Sequence, residues 1–141
     1  EKNALKILVS YAEKYPDSAV GFSSGNKNGG ATICPVFSNI KSPAAYYSEG
    51  YAGVAYRRKF ICDKMLKYYE TLSDACFKSD DITISSWLHK KGIERIKICI
   101  PFYSSVKMLK NVDKHGALHR EKRIKVYKKC KKELKVSLHG T

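Results

Sequence analysis

The run from Asp80 to Ile100 constrains the fold of this chain more than any other segment. Asp80 and Asp81 open an apolar-periodic stretch, and Gly92 stands where a glycine closes a helix. Ile96, Ile98 and Ile100 then alternate with other residues, which predicts a strand over 93–100 that Pro101 stops. A helix that turns through a glycine directly into a strand belongs to a fold that mixes the two element types.

The remaining segments agree with that reading. Ala4, Leu5, Leu8, Ala12 and Tyr15 recur at helical spacing before Pro16 and predict a first amphipathic helix with one buried stripe. Ala19 to Phe22 is a short strand candidate, and Ala31 to Phe37 a second. Between them, residues 23–30 form a polar, Gly/Asn-rich loop, and Lys41 to Gly50 reads as a connecting, lid-like loop. Gly53-Val54-Ala55-Tyr56 predicts a central strand that ends at the basic turn Arg57-Arg58-Lys59. A helix over 60–69 should turn Ile61, Met65 and Tyr68 inward and leave Phe60, Lys64 and Lys67 outward or at its edge. A last helix is expected over about 118–136, with Ile124, Tyr127, Cys130 and Leu134 on its apolar side. The expected fold class is therefore α/β, with a mixed sheet and flanking helices in a single domain over 1–141.

Length and composition bound the class. A chain of 141 residues suits one domain, and a hydrophobic fraction of 43% supports a packed core. No apolar run approaches the roughly 20 residues that cross a bilayer. Cys34, Cys62, Cys76, Cys99 and Cys130 are widely spaced and contain no CxxC pair, which predicts buried free thiols and a reducing compartment. The expected location is cytoplasmic, with peripheral membrane contact as an extension of it. The net charge of +14 favours anionic ligands or surfaces without choosing among RNA, phospholipid headgroups and nucleotide phosphates. Twelve Lys or Arg lie between Lys107 and Lys135 against Asp113, Glu121 and Glu133, so that segment carries much of the excess.

Two carboxylates at a helix start are stabilised by unpaired N–H groups and the helix dipole, so capping by Ser79 or Asp80 is the plain explanation. Helical spacing also places Ser85 and Leu88 on the face of Asp81, and Ile84 and Trp87 on that of Asp80. A carboxylate fixed on such a wall can serve as general base toward a hydroxyl nucleophile. Both explanations stand at this level.

Upstream, Tyr46, Tyr47, Gly50, Tyr51 and Gly53 interleave flat aromatic faces with glycines that admit close backbone approach, as either a ligand wall or a tyrosine-rich core edge. The spacing is neither a P-loop nor a dinucleotide fingerprint. Arg57, Arg58 and Lys59 can meet phosphate or simply form an exposed turn. His115 and His119 are four apart and can share a helical face toward a metal.

Taken in order, Tyr51-Ala52-Gly53-Val54-Ala55-Tyr56-Arg57-Arg58, then Cys76 to Ser85 with Asp80-Asp81-Ile82, then Leu88 and Gly92-Ile93, resemble the C-terminal half of GT-A-type, family 2-like glycosyltransferases. The likeness runs from about Asn3 to Tyr127. It implies a partial GT-A-like fold and sugar transfer from a nucleotide-sugar donor to a glycan or other hydroxyl acceptor, with inversion. It further implies Asp81 as the catalytic base with Asp80 supporting, and Tyr51, Gly53 and Trp87 lining the substrate pocket. Mn2+ or Mg2+ is expected by the same resemblance, with His119 or His115 as candidate ligands. The family's metal-binding DxD motif and N-terminal nucleotide-binding strands have no counterpart in these residues, so the chain is expected to be a portion of such a domain. The alternative expectation is a non-enzymatic basic module that binds nucleic acid or an anionic membrane.

Overall fold

A computed structural model describes residues 3–25, 41–42, 47–48, 50, 53–98 and 120–134. In chain order its elements are helix α1 (Ala4–Lys14), strands β1 (Ser18–Gly21), β2 (Ser24–Gly25), β3 (Lys41–Ser42), β4 (Tyr47–Ser48) and β5 (Val54–Ala55), and helices α2 (Asp63–Glu70), α3 (Asp74–Phe77) and α4 (Asp80–Lys90). Strand β6 (Glu94–Ile98) and helix α5 (Arg120–Leu134) complete the set. The fold is mixed α/β, as expected.

The main sheet has the order β3-β6-β1-β5. β1 and β6 run parallel with Val20 opposite Ile96, whereas β5 and β3 add antiparallel strands on either side. Among the described strands β5 is thus the outer member beyond β1, not the central strand that its apolar sequence predicts. The lid-like loop expected over 41–50 instead contributes β3 to the main sheet and β4 to a small antiparallel pair with β2. The strand expected over 31–37 lies outside the described residues.

Successive side chains of a strand point to opposite faces, and β1 uses both. Val20 joins Leu8, Phe22, Ile96 and Ile98 in a core under α1, while Ala19 joins Phe60, Met65, Trp87 and Leu88 in a core under α2 and α4. Burial on both sides explains why all of β1 is enclosed. Helix α1 closes the first core with Ala4, Ile7, Leu8, Tyr11 and Tyr15, so the stripe is rotated from the predicted one and Leu5 is 73% exposed. The Arg57 guanidinium donates to the Ala12 carbonyl at 3.0 Å and satisfies an end-of-helix acceptor.

The helix predicted over 60–69 begins late, because Arg58–Phe60 form a 3-10 turn before α2. That turn buries Phe60 and leaves Ile61 exposed, the reverse of the expected assignment, while Met65 does face inward. Helix α4 ends as predicted. Gly92 adopts φ 67°, its N–H donates to His89 O at 2.9 Å, and the Ile93 N–H reaches Leu88 O at 2.9 Å. Ile93 also packs against the core that contains Leu88, so the helix end carries both the hydrogen bonds and the apolar contact of a glycine C-cap. The following strand is buried beyond what alternation suggests. Arg95 and Lys97 are enclosed along with Ile96 and Ile98, and the Arg95 guanidinium donates to the Ser85 carbonyl of α4 at 3.0 Å.

A third core joins Tyr47, Ala75, Cys76, Ile82 and Cys130, with Val126, Tyr127 and Leu134 of α5 against it. Ile124, expected on this side, is 48% exposed, and Val126 takes its place. Cys76 and Cys130 form a disulfide across 54 residues of sequence. This corrects the expectation of free thiols for those two residues. Cys62 is free but exposed, and Cys34 and Cys99 lie outside the described residues. The thiol argument for a reducing compartment therefore fails, since structural disulfides persist mainly in oxidising ones. Among the described residues, no helix is long and apolar enough to cross a membrane.

Candidate active site at the acid pair

Helix α4 positions the two carboxylates. Ser79 occupies the N-cap, its carbonyl accepts from the N–H groups of Ile82 and Thr83 at 3.0 Å each, and its side chain makes no cap bond. Asp80 and Asp81 fill the first two helical positions. The entry turn is fixed by the Thr83 hydroxyl, which donates to the Cys76 carbonyl at 2.7 Å. Asp80 is exposed and Asp81 half-buried, so both carboxylates are at a surface.

Asp81 does more than complement the helix dipole. The Gly50 N–H donates to Asp81 Oδ1 at 2.9 Å, and the Ser48 N–H donates to Ser85 Oγ at 3.1 Å. The two bonds hold Ser48 and Gly50 against the Asp81–Ser85 face of α4. The shared face of Asp81 and Ser85 is the one predicted from helical spacing; its backbone partners were not.

Three further side chains surround the pair electrostatically. Burial pushes the Tyr56 phenol well above its ordinary range, with Asp81 and then Asp80 adding to the effect. Burial does the same to Tyr69, with Asp80 the leading charge. Both phenols therefore stay protonated and can donate hydrogen bonds across the neutral range. From α5, Arg123 donates to the Tyr127 hydroxyl at 3.2 Å. That bond is the main cause holding the guanidinium above its ordinary range; partial burial opposes it, and Tyr47 and Asp81 add smaller support. Arg123 therefore feels Asp81 weakly, from a helix remote in sequence.

Helix α5 is clamped in place. Besides the Cys76–Cys130 bond, the Ser73 N–H donates to Glu133 at 2.7 Å and the Ser73 hydroxyl donates to the same carboxylate. Ser73 is the N-cap of α3, so an acid from α5 satisfies the start of a helix that leads to the acid pair.

The other expected site residues fare differently. Gly53 has φ +99°, its N–H donates to Gly50 O at 3.0 Å, and a side chain there would point toward Phe22 and Leu8. Its role is conformational, shaping the segment that delivers Gly50. Trp87 is a core residue rather than a pocket wall: it is 6% exposed, its indole N–H donates to the Phe60 carbonyl at 2.9 Å, and it packs with Met65, Leu88 and Tyr68. Tyr51, His115 and His119 lie outside the described residues. Among the described residues, no group of three or more His, Cys, Asp or Glu gathers as a metal site.

Tyr56, Tyr69 and Arg123 were missed in the sequence, whereas Gly50 was singled out there only for close backbone approach, not as a partner of Asp81. For Arg123 a signal existed, the i,i+4 spacing to Tyr127 on an otherwise lysine-rich helix. Comparison with protein-family models, curated proteins and solved structures returned no match.

Proposed function

We propose that the acid pair is the general-base centre of a glycosyl transfer, from a nucleotide-sugar to an acceptor hydroxyl, within a GT-A-like domain. The observation that carries this reading is the Gly50 N–H to Asp81 Oδ1 hydrogen bond, which orients a surface carboxylate toward a segment that carries glycines and tyrosines. Helix dipole complementarity alone would not require that contact. In the proposed step Asp81 accepts the proton of the acceptor hydroxyl, and the oxygen attacks the anomeric carbon. The bond to the nucleoside diphosphate breaks with its electron pair on the leaving group, and the configuration inverts. Asp80 and the protonated Tyr56 hold the charge distribution around the base, and Arg123 offsets its negative charge.

Mn2+ or Mg2+ is an expectation of the resemblance. The described residues supply no ligand set for it, and no step of the proposed mechanism runs through the ion. The test is turnover of a panel of nucleotide-sugars by the intact protein and by Asp81→Asn. Loss of transfer with the fold retained is expected; near-normal turnover by the variant overturns the assignment.

A second reading rests on α5, where Lys122, Lys125, Lys128, Lys129 and Lys132 are all exposed. Such a face can hold the protein at nucleic acid or an anionic membrane. Steep salt dependence of binding to RNA or to phosphatidylserine vesicles would support it; binding to neither at low salt would remove it.

A further inference from the structure

Phe77 is the largest apolar side chain standing in solvent beside the acid pair, at 70% exposure. Its direction is dictated by its neighbours. Ala75 and Cys76 are buried in the third core, Cys76 is bonded to Cys130, and the Phe77 N–H is fixed to Ser73 O at 3.1 Å. With one side of this short helix committed to that core, Phe77 projects outward. An outward Phe forgoes the stabilisation that burial of its ring would bring.

The ring is nevertheless held. Tyr69 meets it perpendicularly, with centroids 6.1 Å apart and an interplanar angle of 90°. Edge-to-face contact is a preferred aromatic geometry, and it leaves at least one face of Phe77 uncovered by Tyr69. Tyr69 in turn packs against the core that Ile84 joins, on the helical face of Asp80. Burial, with Asp80 as the leading charge, keeps the Tyr69 phenol protonated. An open aromatic face backed by a phenol donor therefore sits just before the helix start that carries the exposed Asp80.

We propose that Phe77 and Tyr69 form a platform for a neutral sugar ring of the acceptor, with Asp80 receiving its hydroxyls. This rests on the transferase reading for the acceptor role, though not for the affinity to saccharide. A pyranose has an apolar C–H face suited to an aromatic ring and hydroxyls around its edge that donate to carboxylates. Asp74, Asp80 and Asp81 lie within eight residues of one another with Lys78 between them, a locally acidic patch in a chain of net charge +14. Carboxylates of this kind can accept hydrogen bonds from the hydroxyls of a neutral polyhydroxylated ligand.

The experiment is saturation-transfer NMR of the intact protein with four neutral tetrasaccharides: cellotetraose, maltotetraose, chitotetraose and mannotetraose. At least one is expected to bind, with affinity reduced about tenfold in Phe77→Ala and restored in Phe77→Trp, as loss and recovery of one stacking contact predicts. Because Phe77 is exposed, circular dichroism should show an unaltered fold. No binding of any probe to the wild-type protein, or equal binding by Phe77→Ala, overturns the platform. Unchanged saccharide binding in Phe77→Ala does so even if Asp81→Asn abolishes transfer. Lost binding in Phe77→Ala upholds the platform even if Asp81→Asn transfers normally.

Discussion

Gly50 donates its backbone N–H to Asp81 Oδ1 at 2.9 Å, and a Cβ added to Gly50 would stand 3.3 Å from that same oxygen. The contact that orients the carboxylate thus also excludes a side chain from the residue that makes it. Gly50→Ala forces the carboxylate or the segment to shift by a few tenths of an ångström. Misplacement by about 1 Å can cost on the order of 100-fold in rate, so a smaller shift predicts roughly a tenfold loss of turnover with the fold retained. Kinetics of the variant alongside its melting temperature check this; wild-type turnover would show that the Asp81 orientation is immaterial.

The disulfide is expected to carry much of the attachment of α5. For a loop of 54 residues the chain-entropy account predicts about 4 kcal/mol. Cys130→Ser and Cys76→Ser should each lower denaturant stability by that order, and the double variant should be little worse than either. Additive losses would show that the two sulfurs act separately.

Glu133 gives the same attachment a pH dependence. Donation from the Ser73 hydroxyl and N–H holds its carboxyl below the ordinary value of 4.5. A carboxyl depressed on folding contributes stability that is fully present above pH 4.5 and lost as pH falls through the depressed value. Glu133→Gln should therefore flatten the acid limb of the stability profile and leave the neutral region lower. Melting curves across the acid range in both proteins are the check, and superimposable acid limbs would contradict it.

Trp87→Phe separates core from pocket. Loss of the indole N–H leaves the Phe60 carbonyl without that donor, which should cost about 1–3 kcal/mol. Activity per folded molecule should be unchanged, whereas a raised KM at constant stability would return Trp87 to the substrate wall.

What the sequence revealed follows the range of the interaction. The helix from Asp80 to Gly92 and its turn into a strand depend on local spacing, and they were read correctly. The Asp81–Ser85 face was equally legible. Its partners Ser48 and Gly50 are 37 and 31 residues away from their acceptors, and no periodicity encodes such a meeting. Helical spacing put Trp87 on the face of Asp80 but did not tell which part of that face packs inward. In α1 the stripes through Leu5 and Ile7 are both apolar, so the pattern left its phase open by a fraction of a turn. Arg95 and Lys97 alternate with the isoleucines of their strand, yet both are buried, and Arg95 donates to the Ser85 carbonyl of α4. The cysteine spacing held no hint of Cys76 pairing with Cys130.

The use of both faces of β1 gives the molecule a front and a back. The acid pair belongs to α4, whose Trp87 and Leu88 share a core with Ala19, whereas α1 lies over Val20 on the other side of the sheet. Leu5 and Val9 on the outer surface of α1 are accordingly screened from the carboxylates by a whole layer of strands. That surface is the natural handle for a label, a tether or a solid support, because attachment there loads the side of the sheet opposite the acid pair.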